Sequence, residues 1–442
     1  MKANFDLRTV FPLYRWQSLA LAGVAILTVA LMSPALSADG AQASQHTGTL
    51  AAAAGVASRT AGDHWVTAWG ASPVVGSDIP GSSCPAGTGL TNQTVRNVVF
   101  VSTGGGQVRI RLSNAFGTQA VQVADATVAV NAGGASAVPG SVRTLTFGGS
   151  QAVTLVAGGD ALSDPVDLRV APLSDLLVSV YLPGPTGPLT NHPFTAQGSY
   201  LGGGDLAGSV SGSGYGGTPC WMVVSGVDVR SAPRVTGTVV ALGDSITDTA
   251  NTTGNANRRW PDDLSRRLNA RPGRTLSVVN AGLGGNRLLA PRDGQPYYGV
   301  PALARLDRDV FTQTGVRSVI LLEGVNDIGF GASAGQIISA DQQVIAQAHA
   351  RGLRVFGATI TPFGGSIIDS PTAEQTRNAV NSWIMTSRAF DGVIDFAAAV
   401  ADPANSSALL PAYDSGDHLH PNDAGCQAMA DAVNLAMLIG VR

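Results

Sequence analysis

Val239-Val240-Ala241-Leu242-Gly243-Asp244-Ser245-Ile246-Thr247 is the stretch on which the fold turns. Four apolar residues run without alternation into Gly243 and Asp244, two residue types that favour turns. Such unbroken runs mark strands buried on both faces, as in parallel sheets covered by helices. Similar runs recur toward the C-terminus at Leu276 to Asn280, Val319 to Leu322, Val355 to Thr359 and Val393 to Phe396. Each precedes a stretch of helical character, two of which are Gln343 to Ala350 and Ala373 to Thr386. Five β-α units predict an α/β fold with right-handed crossovers, a flavodoxin-like three-layer α/β/α domain over residues 234–442. In a sheet of order 2-1-3-4-5 the cleft lies beyond the carboxyl ends of strands 1 and 3, where the connections diverge. Ser245 follows strand 1, Asn326 strand 3, and Gly284-Gly285-Asn286 the neighbouring strand 2, so all converge on one cleft.

Residues 61–233 have another texture, dense in Gly, Thr, Ser and Val. The alternating runs Arg96 to Val101 and Gln107 to Leu112 flank Gly104-Gly105-Gly106 and predict a hairpin. Further short runs at Val121 to Val130, Leu168 to Val170, Leu176 to Leu182 and Met222 to Val229, without long helical periodicity, predict a β-sandwich or jelly-roll-like domain. Ahead of it, Lys2, Arg8 and Arg15 precede an uncharged apolar run from Leu19 to Met32 and the small residues Ser33 to Ala38. This predicts a removable secretory signal over residues 1–38 and export, because the run is shorter than the about 20 residues a spanning helix needs. Residues 39–60, rich in Ala, Ser, Thr and Gly, are expected to form a flexible mature N-terminus.

Of 442 residues 44% are hydrophobic, enough for sizeable cores, and 13% are charged with a formal net charge of −3. With no run of like charge, a nucleic-acid partner is not expected. Three cysteines are too few for a zinc cage. Cys84 and Cys220 lie near the two ends of the β-rich region and are expected to pair, leaving Cys426 as a small apolar residue; three unpaired thiols is the other reading.

Beyond strand 5 lies Asp414-Ser415-Gly416-Asp417-His418-Leu419-His420-Pro421-Asn422-Asp423. Pro421 suits a first helical turn, which would set His420 on the loop entering a helix. A three-residue offset lets one tight turn bring the Asp417 carboxylate beneath the His420 imidazole. Ester hydrolysis through a serine needs a nucleophile, a base, a group that orients the base, and donors aimed at the oxyanion. Ser245, His420 and Asp417 supply the first three.

The blocks Gly243-Asp244-Ser245, Asn280-Ala281-Gly282-Leu283-Gly284-Gly285-Asn286, Gly324-Val325-Asn326-Asp327 and Asp417-His418-Leu419-His420-Pro421 appear in that order. Over residues 236 to 442 the chain therefore resembles the SGNH hydrolases, or GDSL-type esterases and lipases. The resemblance implies a cofactor-free serine esterase. Ser245 would be the nucleophile, Asp417 and His420 would complete the triad, and Ser245 N–H, Gly285 N–H and the Asn326 amide would form the oxyanion hole. Trp260-Pro261-Asp262-Asp263-Leu264 and Leu322-Glu323-Gly324-Val325-Asn326-Asp327-Ile328-Gly329 also look like a secreted subgroup similar to xylan acetylesterases, which points to O-acetylated polysaccharide as substrate. A lipid-directed lysophospholipase or lipase, and a polysaccharide-binding protein without catalysis, stand as alternatives. Oligomeric state is not legible.

Several residues carry more than one reading. Gly331-Ala332-Ser333-Ala334-Gly335 fits a Gly-x-Ser-x-Gly nucleophile elbow, but an elbow leaves a strand directly and strand 3 ends near Leu322. His418 and His420 form His-x-His without further ligands at metal spacing, so no metal is expected and His418 reads as a cleft wall or surface residue. Asp244 and Asp327 either tune the site or cap turns. Asn286, Arg287, Glu323 and Asp248 read as substrate contacts or as supports for the site residues. His64 and His192 read as structural.

Overall fold

The apolar runs after Pro233 fold into one parallel sheet in the computed structural model, which describes residues 64–248 and 251–440. The expected leader and the tract at 39–60 lie outside the described residues. The strands are β1 (Val235–Gly243), β2 (Thr275–Gly282), β3 (Val316–Leu322), β4 (Arg354–Ala358) and β5 (Gly392–Ile394), in the order β2-β1-β3-β4-β5. Every neighbouring pair is parallel. Val239, Val240, Ala241 and Leu242 are all fully buried. Helices on both faces explain why this strand reads as an unbroken apolar run, and each Val or Leu so enclosed contributes about 1.5–3 kcal/mol.

The helices that place the site are α1 (Ser245–Asp248), α2 (Trp260–Ala270), α3 (Ala302–Leu306), α4 (Val325–Gly329), α5 (Ala334–His349), α6 (Pro371–Thr386) and α7 (Asp423–Ala432). Each of the five strands has at least one end shifted by one to four residues from that read in the sequence, and two element boundaries differ for an identifiable local reason. The fifth strand stops at Ile394, because the Asp395 side chain accepts from Ala398 N–H and starts a helix at Phe396. Pro421 is not in a first helical turn. It bridges back to Asp414, and Asn422 is the N-cap of α7, its side chain accepting from Ala424 N–H and Gly425 N–H. An Asn two residues before a small-residue run outcompetes Pro as the start signal here.

Ahead of β1 the described residues form two short antiparallel pairs, Asn191–His192 with Trp221–Met222 and Val121–Val123 with Val153–Leu155, and two large antiparallel sheets. One pairs Trp65–Gly70, Val224–Ser231, Gly105–Ser113 and Val166–Val170 in that order, with Asp160–Leu162 also on Gly105–Ser113. The other runs Tyr215–Thr218, Ser199–Gly203, Gln93–Val101, Ser174–Leu182, Asp125–Gly133 and Ser136–Ala137, with Arg143–Thr144 beside Asp125–Gly133. Val108, Ile110, Leu112 and Val227 from the first share one core with Val95, Val99, Val128 and Val178 from the second. Cys84 and Cys220 form a disulfide spanning 136 residues, and Cys426 is buried and unpaired. A loop of that size makes the link worth on the order of 4 kcal/mol.

The expected hairpin does not form. Gln93–Val101 and Gly105–Ser113 lie in different sheets, and Gly104 carries the chain from one to the other. Ser102 donates both its N–H and its hydroxyl to the Ala68 carbonyl, at 2.9 and 2.8 Å, which draws the chain toward Trp65–Gly70 instead of back on itself. A Cβ on Gly104 would meet the Val170 carbonyl at 2.3 Å, so the crossing needs glycine. Alternation identified both strands; it carries no information about their partners.

The antiparallel sheets and the parallel sheet belong to one compact unit, His64–Arg442. Ser277 on β2 donates to Thr67 O at 2.6 Å and lies 2.9 Å from Ser102 Oγ, and Thr67 N–H donates to Thr314 O at 3.0 Å. Among the described residues no helix is long and apolar enough to cross a membrane.

Candidate active site

Ser245 heads α1 at the carboxyl end of β1. Its Oγ lies 2.8 Å from His420 Nε2, and His420 Nδ1 lies 2.6 Å from Asp417 Oδ2. A carboxylate facing Nδ1 keeps the proton on that nitrogen, so Nε2 accepts from the Ser245 hydroxyl. Asp417 Oδ1 accepts from Leu419 N–H and His420 N–H at 3.0 and 2.9 Å, and Asn251 donates to Oδ2 at 3.1 Å. Burial pushes the Asp417 carboxyl up, but the His420 ring and these N–H donors outweigh it and hold the group below the usual carboxylate range.

The loop that carries this pair is tied at both ends. Asp414 Oδ1 accepts from Gly416 N–H and His418 N–H, and Ser415 N–H donates to His420 O. Asn422 donates to the Ala412 and Asp414 carbonyls. His418 is thereby turned outward: its side chain is 57% exposed and pairs with Asp414 at 2.6 Å.

The second and third blocks interlock. Asn326 donates from Nδ2 to Asn286 O at 2.8 Å, and its Oδ1 accepts from Arg292 at 2.7 Å. Asp327 Oδ2 and Oδ1 accept from Leu288 N–H and Leu289 N–H at 2.7 and 3.1 Å, with Arg287 3.6 Å away. Gly284 N–H donates to Asp248 Oδ2 on α1 at 3.0 Å. Gly285 is thus suspended between a residue tied to α1 and a residue tied to Asn326. Its φ of 69° and the Tyr298 ring, which a Cβ would meet at 2.4 Å, make glycine obligatory there.

Several residues offered as substrate contacts lie behind the cleft. Asn286 is buried, donating to the Tyr298 and Val300 carbonyls and accepting from Arg305. Glu323 is buried against Arg305 at 3.3 Å. Asp327 is fully buried, with both oxygens used as described. The Asn286 amide and the Asp327 carboxylate are consumed by the protein's own donors and acceptors, and Glu323 spends Oε1 on Arg305 while its buried Oε2 has no hydrogen-bond partner, which leaves all three as supports. Arg287 stacks on Phe330 at 4.5 Å and faces Asp327.

Asp244 both caps and tunes. Its Oδ1 accepts from Ile246 N–H at 2.9 Å, shaping the turn that presents Ser245, and burial pushes its carboxyl up to about 7. Ser333 is no elbow: it caps α5, accepting from Gln336 N–H while the Gln336 side chain returns to Ser333 N–H.

Two contributors, Arg305 and Arg292, went unread in the sequence, and His192, read as structural, braces the site in a way the sequence did not indicate. Arg305, wholly buried, donates to the carbonyls of Gly243 and Ala281 at the ends of β1 and β2, and to Ser72 Oγ. An arginine inside Ala302-Leu303-Ala304-Arg305-Leu306 was the only local hint of a buried charge. His192 reaches from the short strand Asn191–His192, paired with Trp221–Met222, to Asp248 at 3.1 Å while its Nδ1 faces Ser72 O at 2.7 Å, bracing the carboxylate that holds Gly284. Arg292 gives no signal in its loop.

A hydroxyl, an imidazole and a carboxylate in hydrogen-bonded sequence at the carboxyl edge of a parallel sheet is the array of the serine hydrolases. Residues 241–428 match the model of the GDSL-like lipase/acylhydrolase family. That domain belongs to this family and is an ester hydrolase. No curated protein matches the chain. Similar solved structures include a G-D-S-L family protein from Desulfitobacterium hafniense DCB-2, 21% identical, covering 46% of this chain and 99% of that one at a TM-score of 0.35. The aryl esterase of M. smegmatis is 16% identical over 44% of this chain and 95% of its own, at 0.35. A GDSL-like lipase from Bacteroides thetaiotaomicron VPI-5482 is 17% identical over 47% and 90%, at 0.36.

Proposed function

We propose that the protein is an exported esterase that removes short acyl groups, O-acetyl groups on polysaccharide or small esters among them, through an acyl-enzyme on Ser245. The observation that carries this reading is the continuous line from Ser245 Oγ through His420 to Asp417. His420 takes the Ser245 proton as Oγ attacks the carbonyl carbon, and Asp417 stabilises the imidazolium. The oxyanion is held by Ser245 N–H, Gly285 N–H and the free N–H of Asn326. His420 then protonates the departing alkoxide, and water repeats the cycle to release the acid. The groups around the pair, Asn251, Ser415 and His418, are polar and suit an oxygen-rich alcohol half. The Cys84–Cys220 bridge supports an oxidising compartment and, with the N-terminal apolar run, export.

One feature favours the lipid-directed reading. Phe330 and Ile367 are 49% and 73% exposed on loops that meet where Gly329 approaches Ile368, an apolar rim that an acyl chain could use. Hydrolysis of p-nitrophenyl esters over chain lengths, run beside acetate release from acetylated xylan, separates the two. The short-acyl reading expects kcat/KM to peak at acetate or propionate with acetate released from xylan. A rise continuing beyond about eight carbons, at up to ~0.8 kcal/mol per buried methylene, would replace it with the lipid-directed one.

A further inference from the structure

Resting on the acyl-transfer reading above, we propose that Arg292 is a positioning residue for the oxyanion donor Asn326, fixing the direction of its amide and polarising it. The amide of Asn326 is pinned from two sides by partners of opposite character. Arg292 meets Oδ1 at 2.7 Å, and the Asn286 carbonyl meets Nδ2 at 2.8 Å. A guanidinium can only donate and a carbonyl can only accept, so a flipped amide would set donor against donor and acceptor against acceptor at once. Of the two Nδ2 hydrogens, Asn286 O takes one and the other remains for the cleft.

The contact also changes how well that second hydrogen binds. A charge-assisted bond to Oδ1 draws density toward the oxygen and leaves the N–H groups more acidic, as in any polarised hydrogen-bond chain. A cation one residue behind the oxyanion thus acts through the amide without occupying substrate space. The guanidinium is itself held on rings: it lies 4.2 Å from the Tyr298 centroid and 5.1 Å from that of Phe330. Tyr298 stacks in turn on Phe194 at 5.9 Å, so the loop after Asn191–His192, ahead of the parallel sheet, supplies the far end of this support. The same Tyr298 ring closes off Gly285, so the side-chain and backbone oxyanion donors lean on one wall.

The test is a double-mutant cycle on p-nitrophenyl acetate, with Arg292→Met, which keeps an apolar stem between the rings, Asn326→Ala, and the pair. Arg292→Met should lower kcat by about 10-fold or more while KM moves by less than about 2-fold, because the lost interaction is one made in the transition state. In the Asn326→Ala background the same change should move kcat by less than about 2-fold, since the group it acts through is gone. Arg292→Lys, which restores a cationic donor, should recover part of the loss; it also carries the cycle should Arg292→Met fail to fold. Losses that simply multiply, a loss confined to KM, or an undiminished kcat in Arg292→Met would each overturn the proposal. A wild-type protein without turnover is a different result: it overturns the esterase reading and takes this proposal with it.

Discussion

Ser245→Ala is expected to leave a folded protein whose kcat on a short-chain aryl ester falls by about 10⁴-fold or more, toward the residual rate that an oxyanion hole and binding sustain without a nucleophile. The size of the loss follows from geometry. Ser245 Oγ is the atom that His420 Nε2 faces at 2.8 Å, and no other hydroxyl is hydrogen-bonded to that nitrogen among the described residues. The removed atom lies at the head of a helix and its loss creates no sizeable cavity, so the melting temperature should stay within a few degrees of the parent. Steady-state kinetics beside a thermal melt check both halves. Turnover close to that of the parent would remove Ser245 from the mechanism.

Asp417→Asn should cost about 10⁴-fold in kcat, a loss that comes from a misplaced proton more than from a missing charge. An amide at 417 would offer N–H to His420 Nδ1, driving the ring proton to Nε2, where it opposes the Ser245 hydroxyl in place of accepting from it. The carboxylate of the parent is held below its usual range, so it is ionised throughout neutral and mildly acid solution. Its contribution is therefore fully present above the ordinary carboxyl pKa of about 3.9 and is lost only as pH falls through the lowered value. A pH profile of kcat/KM should show no limb attributable to Asp417 between about pH 5 and 8, and Asp417→Asn should be depressed across that whole window. Parent activity in Asp417→Asn at any pH in that window would contradict the role given to Asp417, because the variant lacks both the charge and the acceptor that fixes the tautomer.

The parallel sheet could be read because its strands are enclosed on both faces, and such enclosure leaves its mark within a few residues, as Val239 to Leu242 show. The Asp417–His420 pair was equally local: a three-residue offset in a loop dense with Asp, Ser and Gly has few other conformations. What could not be read depended on partners far along the chain. Gln93–Val101 and Gly105–Ser113 were visible as strands, but their assignment to different sheets is decided by contacts with Ala68 and Val170, and no alternation pattern records that. His192 and Asp248 are separated by 56 residues and meet only once two sheets have packed. Arg292 sits in a loop without periodicity, and its purpose appears only when Asn326, Tyr298 and Phe330 surround it. Asn286, Glu323 and Asp327 could be placed near the site but not on one side of it, because a polar residue beside a motif reads the same whether it faces substrate or the back of the loop.

The most direct test of the central claim is reaction of the intact protein with a fluorophosphonate, followed by mass measurement and peptide mapping. A single adduct on Ser245, absent from Ser245→Ala and greatly slowed in His420→Ala, is the predicted result. An unlabelled protein, or an adduct carried by Ser333 or any other residue, would contradict it.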